Sequence, residues 1–356
     1  MAGGRLADRD RSHDRGGFAM RDIGSTMEGL RAFLTRHEPD RRPVVLECRP
    51  LTGGYSRVMN CATVRWHDGT EQELVLRSDP PPDEIVYRTD RSIEWNLLRA
   101  LTAAATVPMP PAYYYDDGSY LGTPTIVLGR CGGPSLQSAT TDPSADLDDL
   151  AGKVADTLAT IHRTDIELLD GALEVPTDWG DYLSGLIKEW ARAEKTHPES
   201  VPVLRYLSAW LNAHRPAPME MVLLHGDFQA SNLLVEDGLQ TIDWEFAHIG
   251  DPREDLGWFN LYSASTGAPN LYGRDPEAFL ERYRLRTGAS AGEVNQATVA
   301  FFSVIAATRV YLSILASAAA MAEGKAQGVM LTYNLNACAL GNINWLSTCQ
   351  ALEGAL

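Results

Sequence analysis

The chain has 356 residues, 44% hydrophobic, 22% charged and 8% aromatic, which is enough for two domains or for one two-lobed domain with a large core. With 31 basic and 47 acidic side chains the net charge is −16, a balance that disfavours general nucleic-acid binding and is compatible with a cationic substrate. The five cysteines (Cys48, Cys61, Cys131, Cys338, Cys349) have no CxxC spacing, which argues for reduced thiols in a cytoplasmic protein and against structural zinc.

Residues 1–22, opening MAGGRLADRDRSHDRGGF, are polar and read as a disordered tail rather than a signal peptide. STMEGLRAFLTRH follows, with Ser25 and, three residues on, Glu28; this capping box predicts an amphipathic helix starting at Ser25. Three valine- and leucine-rich runs come next (VVLECRPLTGG, SRVMNCATVRWHDGT and QELVLRSDPP), with turns at Gly53-Gly54 and Asp68-Gly69, and they predict an antiparallel meander. A helix is expected from Ile85 to Leu101 with Ile93, Leu97, Leu98 and Leu101 on its inner face. VPMPPAYYYDDG and GTPTIVLGRCGGPS complete a sheet of about five strands with one helix inserted.

Beyond Gly132–Ser135 the character changes. DPSADLDDLAGKVADTLATIHRTD and DWGDYLSGLIKEWARAEK read as helices, and nearly everything from Pro276 to Leu352 reads the same way. Arg309 interrupts the apolar stretch Val299–Ala322, and alanine and serine dilute it, so a core helix is expected there and not a membrane span. The fold class is α+β and two-lobed: a disordered tail (1–22), a β-rich lobe with an antiparallel sheet (23–132) and a mainly helical lobe (133–356).

Between the helices of the second lobe lies LLHGDFQASNLLVEDGLQTIDWEFAHIGDPREDLGW, Leu223–Trp258. Phosphoryl transfer needs a carboxylate to orient the acceptor hydroxyl and take its proton. It also needs hard oxygen ligands for magnesium, a fixed cation on the phosphates and a loop to cover them. Asp227 precedes Asn232 by five positions, the spacing of base and metal-binding Asn in the protein-kinase catalytic loop. Asp243 follows a short apolar strand, in the place of the metal-binding Asp of the D-F-G motif, and a strand there would present it opposite Asn232.

This segment, continuing through IDWEFAHIGDPREDLGW, resembles the aminoglycoside phosphotransferase and choline-kinase-like superfamily, whose pattern is H-G-D-x-x-x-x-N followed by I-D-W/F-E. It is most similar to the branch related to the kinase domain of acyl-CoA dehydrogenase fusion proteins. The resemblance extends over roughly Leu30 to Leu346 and is specific in the central motif. It implies a protein-kinase-like fold with 23–132 as the nucleotide-binding lobe and 133–356 as the lobe for catalysis and acceptor binding, with Asp227 as catalytic base, Asn232 and Asp243 as magnesium ligands, His225 as a brace for the loop and Asp255 as its anchor.

Other parts can be assigned on chemistry. Gly53, Gly54 and Ser56 are candidates for the phosphate-covering loop. Arg77 stands where kinases carry lysine and can grip phosphate with two donors. Its carboxylate partner is expected at Glu94, with Glu84 and Asp90 as alternatives, and backbone groups of Gly129 and Cys131 are expected to meet the adenine. Glu245, Asp251, Tyr262 and Arg309 are candidates for the acceptor pocket. The expected activity is ATP- and magnesium-dependent transfer to a hydroxyl of a small molecule, such as an aminoglycoside-like antibiotic, amino alcohol, sugar or natural-product intermediate, without nucleic-acid or membrane partners. A kinase of Ser or Thr in a precursor peptide and a nucleotide-binding pseudokinase remain as alternatives.

Overall fold

The computed structural model describes residues 22–51, 57–80, 90–196, 202–265, 268–307 and 310. The chain divides into two compact units, 1–88 with 116–125, and 89–115 with 126–356.

The first unit begins with α1 (Ile23–His37). Its cap is Asp22, whose carboxylate accepts from Ser25 N, so Ser25 is the third residue of the helix and not its cap. Leu30, Phe33 and Leu34 form the buried stripe, and α1 packs on β1 (Val44–Pro50). β2 (Val58–Arg65) and β3 (Glu71–Ser78) pair antiparallel in unbroken register from Val58↔Ser78 to Arg65↔Glu71. The expected turn at Asp68-Gly69 is present: Gly69 has φ 85°, and Asp68 Oδ1 accepts from Thr70 N. The Gly53-Gly54 turn lies outside the described residues.

In the second unit α2 (Arg91–Ala104) is capped by Asp90, and residues 85–89 of the expected helix fall outside the described part. Leu97, Leu98 and Leu101 face inward as expected, but Ile93 is exposed, and the inward position one residue on is filled by Glu94. An ion pair with Arg91, itself buried, makes that charge tolerable there. β4 (Ala112–Asp116) and β5 (Thr125–Gly129) complete an antiparallel sheet of order β1-β2-β3-β5-β4, as expected in strand number and pairing direction.

Helices follow: α3 (Leu136–Ala139), α4 (Leu147–His162), α5 (Trp179–Thr196) and α6 (Pro202–Ala213). Four three-residue strands then form two antiparallel pairs, β6 (Val222–Leu224) with β9 (His248–Gly250), and β7 (Leu233–Val235) with β8 (Leu239–Thr241). After β9 come α7 (Arg253–Ser265), α8 (Leu271–Arg274), α9 (Pro276–Thr287) and a helical segment at 296–307. Gly288, in the left-handed region at φ 81°, ends α9, and the stretch expected to be mostly helical from Pro276 is split there into two helices as far as residue 307. The core of this unit runs from Leu97 and Leu101 through Val154, Leu158 and Ile161 of α4 to Phe228, Leu256 and Phe259. No described helix is long and apolar enough to cross a membrane.

Candidate active site

β6 runs directly into His225, and its pairing with β9 sets Leu224 opposite His248. The chain then turns sharply at Gly226, where φ is 75°. A Cβ there would lie 2.1 Å from Phe246 O, so no other residue fits between His225 and Asp227. Downstream, β7 and β8 pair Leu233 with Thr241, and Ile242 N donates to Asn232 O at 3.0 Å. Asn232 and Asp243 therefore emerge from neighbouring strand ends, the placement expected from the sequence. Asp243 has φ 69°, a conformation aspartate tolerates better than most residues and one that concentrates at functional sites.

The side chains of the loop are fixed by a connected network. Asn232 Nδ2 donates to Asp227 Oδ2 at 2.8 Å and to Asp227 O at 3.0 Å. With its amino group on Asp227, the amide can turn its Oδ1 toward a cation. Gln229 Nε2 and Trp258 Nε1 both donate to Asp227 Oδ1, each at 2.8 Å.

His225 is completely buried, and burial holds its pKa below the ordinary imidazole value although Asp255 and Asp243 pull the other way. It is the neutral tautomer protonated at Nε2: Nε2–H donates to Ile242 O at 3.0 Å, and Nδ1 accepts from Asp227 N at 3.3 Å. One histidine thus bonds both the segment that carries Asp227 and the segment that ends in Asp243.

Asp255, in the first turn of α7, accepts from His225 N at 2.8 Å, from Gly226 N at 2.9 Å and from His162 Nε2 at 3.2 Å. Burial pushes its carboxyl up, but the hydrogen bond and charge of His162, together with His225, outweigh it and hold the group below its ordinary value. His225 and Asp255, the expected brace and anchor, both hydrogen-bond to the loop.

Magnesium usually binds through one or two protein carboxylates and is completed by phosphate and water. The donors here suit that pattern, a carboxylate and an amide oxygen on adjacent strand ends. Among the described residues no group of three or more His, Cys, Asp and Glu could form a protein-only cage.

Other candidates fall in varied places. Arg77 is buried on β3, and Glu94 is buried in the first turn of α2 beside Arg91. Gly129 ends β5, and its N–H donates to Pro111 O at 2.8 Å. Cys131 is half-buried; burial and the neighbouring Glu236 push its thiol up to about 11, so it is not a reactive thiolate. Gly53, Gly54, Ser56, Glu84 and Arg309 lie outside the described residues.

Asp251 requires a correction. It is fully buried in a two-point ion pair with Arg253 and accepts from Trp179 Nε1, so it holds the start of α7 in place and does not line an acceptor pocket. Glu245 is half-buried just past Asp243. Tyr262 packs against Trp258 with ring centres 5.0 Å apart and tilted by 34°, and it lines a small, open crevice. Gln137, Thr140, Gln229, Ser231, Phe259 and Leu271 line the same crevice, and Gln229 connects it to Asp227. Gln229, Trp258 and His162 are not singled out by the sequence pattern. The available signal is that Trp258 follows Asp255 by three positions and so shares its face of a helix beginning at Arg253.

The family model described as the phosphotransferase enzyme family matches residues 47–291. Acyl-CoA dehydrogenase family member 10 of Mus musculus is 28% identical over 215 residues, which is 57% of this chain and 20% of the relative, so the chain spans about a fifth of that protein's length. A Ralstonia eutropha protein proposed as an aminoglycoside phosphotransferase shares the fold with a TM-score of 0.69 and 19% identity, covering 91% of this chain and 98% of its own. The GDP complex of wild-type aminoglycoside 2'-phosphotransferase-IIIa does so with a TM-score of 0.60 and 16% identity, covering 88% and 97%.

Proposed function

We propose that this chain, which belongs to the phosphotransferase enzyme family, is a small-molecule kinase that moves the γ-phosphate of ATP to a hydroxyl acceptor with magnesium. The observation that carries the proposal is the 2.8 Å bond from Asn232 Nδ2 to Asp227 Oδ2, with Asp243 on the adjacent strand end. In this reading Asp227 orients the acceptor oxygen and takes its proton, while Asn232 and Asp243 hold the cation against the phosphates. The cation offsets charge on the transferring group, and most of the acceleration comes from positioning and charge neutralisation.

Residues 23–132 then form the nucleotide lobe and 133–356 the catalytic lobe. Arg77, Glu94, Gly53, Gly54, Ser56, Gly129 and Cys131 belong to the nucleotide side of the proposal. The crevice lined by Gln137, Thr140, Gln229 and Tyr262 is the proposed seat of the acceptor, because Gln229 joins it to the base. One structural neighbour was solved as a GDP complex, which makes GTP a necessary control.

The test is a mass-spectrometric screen of hydroxylated metabolites and antibiotics with ATP or GTP and magnesium, seeking the gain of one phosphoryl group. A peptide pool is included to detect a precursor-peptide kinase. Asp227→Ala should lower turnover on the acceptor found by about 10²- to 10⁴-fold while nucleotide still binds. Wild-type turnover in that variant, or tight nucleotide binding with no transfer to any acceptor, would count against the proposal.

A further inference from the structure

Trp258 is placed so that one helix controls the catalytic loop at two levels. Asp255 and Trp258 lie three residues apart on α7 and share a face. Asp255 takes the backbone N–H groups of His225 and Gly226, which sets the path of the main chain. One turn later the indole of Trp258 donates to Asp227 Oδ1 at 2.8 Å, which sets the side chain. Gln229 donates to the same oxygen from within the loop, and Asn232 donates to the other. The indole is buried, at 7% exposure, and packs at a tilt against Tyr262 another turn along the helix. Buried donors are seldom spent on a carboxylate without fixing its orientation.

We propose that Trp258 is a positioning residue for the base: its indole N–H fixes the rotation of the Asp227 carboxylate and therefore the direction from which an acceptor hydroxyl is addressed. Tyr262 and Gln229 both line the crevice, so an acceptor seated there touches the two side chains next to this bond. A rigid α7, itself anchored by the buried Asp251–Arg253 pair, makes the control stiff. The inference rests on Asp227 being the base of the proposed transfer.

Two measurements separate the inference from that premise. In ¹⁵N-labelled protein the Trp258 indole N–H signal, identified by its loss in Trp258→Phe, should shift and exchange faster with solvent in Asp227→Asn. This readout requires no turnover and, like the other seven indoles that serve as its reference, is available even if the phenylalanine variant is poorly folded, because site-specific labelling can replace assignment by loss. An unmoved signal would overturn the inference. With an acceptor in hand, folded Trp258→Phe keeps an aromatic ring against Tyr262 but has no donor. Its kcat should fall about 10- to 100-fold with the KM for nucleotide within about twofold of wild type, because the defect is one of orientation. A kcat within about twofold of wild type would equally overturn it. A shifted indole in a protein that transfers no phosphate would uphold the geometric link and defeat only the premise.

Discussion

Two indoles stand next to Asp227 and Asp243 and differ in one bond. Trp258 donates to Asp227, whereas the Trp244 N–H is buried with no hydrogen-bond partner among the described residues, its ring 4.6 Å from that of His225. An unpaired buried donor costs about 1–3 kcal/mol, close to what a trimmed aromatic loses in packing. Trp244→Phe should therefore leave the calorimetric melting temperature within about 2 °C of wild type. A fall of many degrees would show that the indole is held by something more than packing. At this scale much of the site is legible in the sequence. The five-residue spacing of Asp227 and Asn232 and the strand before Asp243 point to side chains that the fold does bring to neighbouring positions. Asp251 is misread as a pocket residue because a lone carboxylate beside a catalytic stretch gives no sign of its burial. Only the fold shows the Arg253 guanidinium closing back on it.

Helix α7 is the element on which the loop depends. Removing the Asp255 carboxylate leaves the His225 and Gly226 N–H groups and His162 without their buried acceptor. Asp255→Ala should cost about 3–5 kcal/mol in chemical denaturation, and a loss under about 1 kcal/mol would contradict the anchoring role. The carboxyl has a depressed pKa, so its contribution is fully present above the unfolded value of about 4 and disappears as pH falls through the lower folded value. The slope of stability against pH in that acidic window should be shallower in Asp255→Ala than in wild type. Elements differ in legibility for physical reasons. Long amphipathic stretches such as α4 announce themselves by period. The three-residue strands β6 and β9 are too short to show a period, and the role of Asp22 as a cap is hidden by a better-looking Ser25–Glu28 pair. Ile93 looks like core, and Glu94 displaces it because Arg91 supplies a counter-charge that hydrophobic patterning does not weigh.

For the whole molecule, the sequence suggests a division near Gly132 between a sheet-rich and a helical part, whereas the compact units are 1–88 with 116–125 and 89–115 with 126–356. Membership of the phosphotransferase enzyme family follows from a match over residues 47–291. The acidic net charge decides little, since it describes the surface as a whole and not the crevice beside Gln229 and Tyr262. The central claim is that Asn232 and Asp243 hold a magnesium–nucleotide for a base at Asp227. Calorimetric titration of a non-hydrolysable ATP analogue, with and without magnesium, into wild type, Asp227→Asn and Asp243→Asn tests it most directly. The account predicts magnesium-dependent binding in wild type and in Asp227→Asn, and a loss of about tenfold or more in Asp243→Asn, equivalent to about 1.4 kcal/mol. Equal affinity of all three proteins, with magnesium making no difference, would contradict it.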